Sequence, residues 1–273
     1  MIATRIASLT VLAWFALHAP RAFADDYFSP TDERVRISLG AEHLTSSTTL
    51  QSNSSAGVTG TEIAGEDQFG LDKSQWEPKF QALVRVATRQ RLSFDYFTLD
   101  RSGNSVVGAN PIIFRNVTFL PGDPLQTHLS LRTLGITYEY SFWHSEKLEI
   151  AATLGVHATD ISASAKAQTQ TRHVIQNEDQ AGPVPTLGID ATWVISKRFY
   201  VDARAQYLNI HVNNLDGSLG LYEFEGLYRY RANVSVGLGF TAVRAHLAST
   251  QTTQPGLFDF NTNGPELFIR VGF

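Results

Sequence analysis

The sequence predicts an all-β protein: a closed, antiparallel, up-and-down transmembrane β-barrel of ten strands, with eight or twelve as neighbouring solutions. Three observations predict it. Segments that alternate apolar and polar residues with a period of two run along most of the chain. The connections between them fall into a short class and a long class. The chain also ends inside such a segment, ELFIRVGF at 266–273.

Ahead of the strands stands MIATRIASLTVLAWFALHAPRAFA, residues 1–24, which has the parts of a cleaved secretory signal peptide. Arg5 is its positive region, Ile6 to Leu17 its apolar core, and Ala22-Phe23-Ala24 a small-x-small cleavage site. That core is shorter than the roughly 20 residues a membrane helix needs. Residues 25–273 then form a single barrel domain. Cleavage removes Arg5 and Arg21 and no acid, so the mature chain is more acidic than the formal net charge of -4. With no basic stripe to neutralise phosphates, nucleic acid is not an expected partner. The chain has no cysteine and its single methionine is the initiator, so disulfides and thiolate metal sites are excluded.

The first strand sets Val35, Ile37, Leu39 and Ala41 against Arg36, Ser38, Gly40 and Glu42. The second opposes Trp76, Phe80, Ala82, Val84 and Val86 to Glu77, Lys79, Gln81 and Arg85, with Leu83 an exception on the polar face. The third sets Leu92, Phe94 and Tyr96 against Ser93 and Asp95. In the fourth, Leu134, Ile136, Tyr138, Tyr140 and Phe142 oppose Thr133, Gly135, Thr137, Glu139 and Ser141. The fifth places Leu148, Ile150, Ala152, Leu154 and Val156 opposite Glu149, Thr153, Gly155 and His157. The sixth places Leu187, Ile189, Ala191 and Trp193 opposite Thr186, Gly188, Asp190 and Thr192. In the seventh, Phe199, Val201, Ala203, Ala205 and Tyr207 face away from Asp202, Arg204 and Gln206. In the eighth, Tyr222, Phe224, Tyr228 and Tyr230 face away from Glu223, Glu225 and Arg229. The ninth opposes Val234, Val236, Leu238 and Phe240 to Ser235, Gly237, Gly239 and Thr241. The tenth opposes Leu267, Ile269, Val271 and Phe273 to Glu266, Phe268, Arg270 and Gly272.

The links around 88–91, 143–147, 196–198 and 231–232 are tight, whereas those after the first, third, fifth and ninth strands are long and rich in Ser, Thr, Asn, Gln, Gly and Pro. QTQTRHVIQNEDQAGP at 168–183 is an example. The link NNLDGS at 213–218 departs from the alternation by being short. Short turns at one end and long loops at the other are the pattern of an outer-membrane barrel. Strands of about 9 to 11 residues fit a tilted bilayer crossing. The polar faces favour Gly and small hydroxyls over Lys and Glu, which suits a tightly curved, enclosed interior. Aromatics gather at strand ends, as an interfacial girdle predicts. Closure removes the unpaired edges that hydrocarbon forbids, so the last strand is expected to pair with the first.

A secretory signal, an even set of amphipathic strands and a terminal Ile-Arg-Val-Gly-Phe together resemble the small outer-membrane β-barrel proteins of Gram-negative bacteria. LEIAATLGVHATDISASA and GPVPTLGIDATW are similar to functionally uncharacterised members of that class. The resemblance implies an integral, monomeric protein among outer-membrane lipid and lipopolysaccharide. It also implies that Phe273 serves as the signal read by the barrel-assembly machinery.

The residues expected inside the barrel are Arg36, Glu77, Lys79, Arg85, Asp95, Glu139, Glu149, His157, Asp190, Asp202, Arg204, Glu223, Glu225, Arg229, Glu266 and Arg270. They read as a salt-bridge network filling a narrow interior or as the lining of a small-solute pore, because about eight strands leave only room for side chains. His157, Asp160 and Ser162 are the candidates for a catalytic set of the kind lipid A or phospholipid modifying enzymes carry. Strand parity points Asp160 and Ser162 away from His157, and no GxSxG elbow is present. The histidines lack metal-site spacing, and no metal or other cofactor is expected. The favoured reading is a non-enzymatic barrel, structural or porin-like. A lipid-modifying enzyme and an adhesin acting through the long polar loops are its alternatives.

Overall fold

The computed structural model describes residues 29–54, 59–168, 173–212, 215–249 and 256–273. The predicted signal peptide lies outside the described residues. In chain order the elements are β1 (Val35–Ser52), β2 (Ile63–Ala64), α1 (Gly65–Gln68), β3 (Ser74–Ala87), β4 (Gln90–Val106), β5 (Ile112–Phe114), β6 (Val117–Phe119) and β7 (Pro124–His144). They continue with β8 (Leu148–Gln168), β9 (His173–Val194), β10 (Phe199–Val212), β11 (Leu215–Arg231), β12 (Val234–Ser249) and β13 (Gly256–Gly272).

Ten of these strands form one antiparallel sheet in the order β13-β12-β11-β10-β9-β8-β7-β4-β3-β1, and β13 pairs back onto β1. The closing register runs from Arg36↔Gly272 to Ser52↔Gly256. The expected ten-stranded closed barrel is the observed architecture. The expected strand lengths need correction: β7 and β8 have 21 residues each and β9 has 22. Much of QTQTRHVIQNEDQAGP is therefore barrel wall, with β8 reaching Gln168 and β9 starting at His173. Of the segment expected to depart from the loop alternation, residues 215–218 belong to the wall as the start of β11, and 213–214 lie outside the described residues.

Parity is uniform around the barrel. Leu134, Ile136, Leu154, Val156, Leu187, Ile189, Phe224, Leu238, Leu267 and Ile269 are exposed on the outside, while Ser38, Thr137, Glu139, Glu149, Asp190 and Arg270 are buried inside. The outward belt stops partway along each long strand. On β8 it gives way to the outward-facing Asp160, Ser162, Ser164 and Lys166, beyond the span that needs to be apolar.

At the long-loop end, β2, α1 and the β5–β6 hairpin fold over the wall. They bury Ile63, Phe69, Leu71, Phe114 and Phe119 against Leu125, Leu129, Ala165 and Ala167. A buried arginine ties this cap down: Arg101 donates to Glu66 (2.5 Å), to the Thr48 hydroxyl (2.7 Å) and to the Asp72 carbonyl (2.8 Å). At the short-turn end, residues 29–34 cross beneath the barrel. There Arg85 reaches the Thr31 carbonyl (2.6 Å), Arg36 reaches the Pro30 carbonyl (2.9 Å) and Ser29 donates to the Glu146 carbonyl (2.7 Å).

The wall has two seams where a ladder stops short: β3 pairs with β4 only as far as Phe80↔Tyr96 although β4 runs to Val106, and the other lies between β9 and β10. β9 pairs with β10 only from Leu187↔Tyr207 to Val194↔Tyr200, although both strands continue toward the long-loop end. Over that stretch β9 keeps its pairing with β8, through Val156↔Pro185 and Ala158↔Pro183. Proline has no N–H, so Pro183 and Pro185 leave this part of β9 with two fewer donors for a second neighbour.

Candidate functional site

The interior of the barrel is built in two storeys. The lower one, toward the short turns, is a continuous network of charges. Each strand contributes alternate residues, so the same parity that sends Leu and Ile outward sends charge inward. Lys79 on β3 lies 2.5 Å from Glu266, 3.0 Å from Glu225, 3.2 Å from Glu223 and 4.0 Å from Glu42. Arg270 on β13 binds Asp202 and Glu225, and Arg36 joins Asp202 (3.2 Å) to Glu33 (3.0 Å). Arg204 on β10 links Glu139 (2.8 Å) and Asp190 (3.2 Å). Arg85 meets Glu149 at 2.7 Å, and Glu149 also accepts from Ser141 at 2.5 Å.

At the centre of this storey stands Arg91, fully buried, within 2.8 Å of Glu149 and 2.7 Å of both Glu139 and Asp190. The space between Arg36, Asp202, Arg204 and Arg270 is about 30 Å³, room for little more than a water. Phe268 is buried among these charges, its ring centroid 5.3 Å from the Lys79 ammonium and 5.1 Å from the Arg270 guanidinium, within cation–π range. Gly237 makes that ring's place: a Cβ there would stand 2.2 Å from the Phe268 Cζ.

The upper storey is an apolar cavity of about 260 Å³. Its walls include Leu131, Ile161, Val184, Leu221, Val243 and Phe258, and its floor carries Glu42, Lys79, Asp95, His157, Gln206 and Glu223. Leu44, Leu99 and Phe260 pack behind it with Leu131, Phe97 and Ala245. In the floor, His157 Nε2 lies 3.2 Å from the Thr186 hydroxyl and 3.3 Å from the Gln206 amide oxygen, while the Gln206 nitrogen donates to Thr137 and Thr153. His157 Nδ1 is buried, has no hydrogen-bond partner, and faces the Asp95 carboxylate at 3.7 Å.

These positions sort the expected residues. Arg36, Lys79, Arg85, Glu139, Glu149, Asp190, Asp202, Arg204, Glu223, Glu225, Glu266 and Arg270 form the lower network, and Arg229 lies 3.9 Å from Glu33 at its edge. Asp95 and His157 sit apart in the cavity floor. Glu77 accepts from the Asp100 amide (3.1 Å) and from Gln75 (2.5 Å), where the β3–β4 ladder has ended. The structure does not bring the catalytic candidates together. β8 keeps an unbroken register with β9 from Leu148 to Gln168, so Asp160 is exposed outside while His157 is buried inside.

Arg91, Arg101, Glu33 and Glu66 are missed by a reading that assigns them to turns and loops. For Arg91 the signal exists: it shares parity with Ser93 and Asp95, and β4 begins one residue before it. Among the described residues no group of three or more His, Asp or Glu side chains is arranged to hold a metal ion.

No protein-family model matches the chain, and no curated protein matches it. Solved structures do. The outer membrane protease OmpT from Escherichia coli matches over 91% of this chain and 99% of its own, with a TM-score of 0.58 and 10% identity. The toluene transporter TodX of P. putida matches with a TM-score of 0.38 at 8% identity, covering 93% of this chain and 92% of its own. Ail, the attachment invasion locus protein of Yersinia pestis, matches with a TM-score of 0.33 at 10% identity, covering 85% and 97%. The fold class is therefore that of the Gram-negative outer-membrane β-barrels, here as a closed barrel of ten strands. At such identity the likeness to OmpT is one of fold.

Proposed function

We propose that the protein is an integral outer-membrane barrel, exported by its signal peptide, whose lower interior is a closed ionic plug and which does not conduct solutes. The observation that carries this reading is the inversion of its two faces. Large apolar side chains are exposed all around the outside, as with Leu154 at 54%, Leu187 at 55% and Leu238 at 66%, while Arg91, Glu139 and Glu149 are fully buried inside. In water that arrangement would waste apolar burial and strand charges in the interior. In a bilayer the belt meets hydrocarbon, and closure leaves no unpaired edge across the paired part of the wall.

Three features support closure over a pore. The cations of the lower network are bound by carboxylates from facing strands, the space between them is about 30 Å³, and residues 29–34 cross the short-turn mouth. The orientation follows from the loop classes, with the short turns and the chain ends periplasmic. The terminal strand is bonded at its end, where the Phe273 amide donates to the Val35 carbonyl (2.9 Å) and the Phe273 carbonyl accepts from Val35 (3.1 Å). Recognition of that strand by the barrel-assembly machinery and contact with lipopolysaccharide belong to the same proposal.

The test is reconstitution of the mature chain in planar bilayers beside a gel assay of heat-modifiable mobility. The expected result is a folded, heat-shifted species with no stepwise conductance. Regular conductance steps from the folded species would overturn closure, and failure to fold into lipid under any condition would overturn the membrane assignment.

A further inference from the structure

The upper cavity is not explained by a closed barrel. A plug needs filling, and the lower storey is filled; the upper one leaves about 260 Å³ bounded by apolar side chains. A cavity of about 150 Å³ lined by aliphatic and aromatic side chains holds a benzene-sized molecule, so this one has room for a ring with a short chain or for a medium alkyl chain.

Its floor states what the other end of such a molecule must be. Gln206 presents its amide oxygen to His157 Nε2, because its nitrogen is turned toward the hydroxyls of Thr137 and Thr153. His157 Nδ1, on the other side of the ring, faces Asp95. That nitrogen is buried and has no hydrogen-bond partner. Opposite it, at 3.7 Å, the Asp95 carboxylate makes no hydrogen bond among the described residues. At 3.7 Å no atom fits between the two, and Nδ1 is sealed from the cavity, so the acceptor that the cavity can reach is the part-exposed Asp95 carboxylate. A donor arriving from the cavity gives that carboxylate a hydrogen bond.

The surrounding charge excludes one obvious amphiphile. The cations near the floor are committed, Lys79 to Glu266, Glu225 and Glu223, and Arg204 to Glu139 and Asp190. Glu42, Glu223 and Asp95 leave the floor with more carboxylates than cations. A carboxylate head would meet like charge and bring no donor, whereas an ammonium or hydroxyl head supplies what the site lacks.

We propose that the upper storey is a binding site for a small amphipathic amine or alcohol. The head lies on the Asp95 carboxylate beside His157, and the apolar body lies against Leu131, Ile161, Val243 and Phe258. The β9–β10 seam lies beside it, since Pro183, Val184 and Leu208 border the cavity beyond the last β9–β10 pair.

The test measures equilibrium binding to the folded mature protein in lipid nanodiscs, which avoids detergent tails entering the cavity, with empty discs as the background. The compounds are 2-phenylethylamine, 2-phenylethanol and phenylacetate, and octylamine, octanol and octanoate, all read on the unaltered protein. Saturable binding of amine and alcohol is expected, with the matching carboxylate about tenfold weaker or more, as the loss of one charge-assisted hydrogen bond implies. Ala245→Phe, which fills the cavity without adding polarity, should abolish binding. Asp95→Asn should weaken the amines more than the alcohols. Heat-modifiable mobility shows that each variant has folded. No saturable binding by the unaltered protein would overturn the proposal, as would preference for the carboxylates or equal binding by folded Ala245→Phe.

Discussion

A single arginine shows how the lower storey is held. Arg91 contributes three short contacts to three carboxylates from three successive strands, β7, β8 and β9, and all four groups are buried. Removing one partner from a buried ionic cluster costs about 3–5 kcal/mol, because the remaining charges stay buried and uncompensated. Arg91→Met is therefore expected to lower stability by that amount in denaturant unfolding from lipid vesicles, followed by tryptophan fluorescence; an unchanged midpoint would show that the cluster is dispensable. Phe268 and Gly237 make a second pair of this kind. Gly237→Ala forces the Phe268 ring out of its slot and is expected to cost about 1–3 kcal/mol, the range for overpacking. Phe268→Leu in the same chain should restore part of it. The interior charges are legible from parity alone wherever a strand is recognised. Arg91 is hidden because arginines flanking a tight turn resemble a solvated turn, and the His157–Asp95 juxtaposition is hidden because it depends on how two strands face each other across the barrel.

At the scale of the strand, the apolar face is readable and the strand's length is not. Alternation is visible where one face meets hydrocarbon and the other meets packed polar groups, as in Leu134 to Phe142 of β7. Beyond the belt the outward face meets water and the inward face packs under the cap, as with Ile161, Ala165 and Ala167 of β8, so small and polar residues continue the ladder and the apolar rhythm weakens and changes side. A sequence reading takes that composition for loop. The same strand should then respond differently along its length. Leu154→Arg, within the belt of β8, is expected to cost about 2–4 kcal/mol, the penalty for a cation near the bilayer midplane. Asp160→Arg, on the same outward face but past the belt, should stay within about 0.5 kcal/mol. Equal costs in vesicle unfolding would mean that the belt ends elsewhere. Proline is the other legible sign: Pro183 and Pro185 within one strand mark it as an edge, and there the β9–β10 ladder is absent.

For the whole molecule, closure of the sheet has a kinetic meaning as well as a structural one. Every other neighbour pair in the barrel joins strands that follow one another along the chain, but β1 and β13 are its two ends. A growing sheet can therefore add strands hairpin by hairpin at small loop-entropy cost, and only the final pairing spans nearly the whole chain. Until that pairing forms, both exposed edges carry unmatched N–H and C=O groups, each costing several kcal/mol in hydrocarbon. A barrel lacking one seam is thus far from nearly complete in energy, and joining the first strand to the last is the slow, all-or-none step of insertion. Deleting Phe273 removes its backbone bonds to Arg34 and Val35 at the start of that seam. The expected outcome is a several-fold slower appearance of the heat-modifiable species in a vesicle-folding time course. The finished barrel should unfold at a rate much closer to that of the full chain.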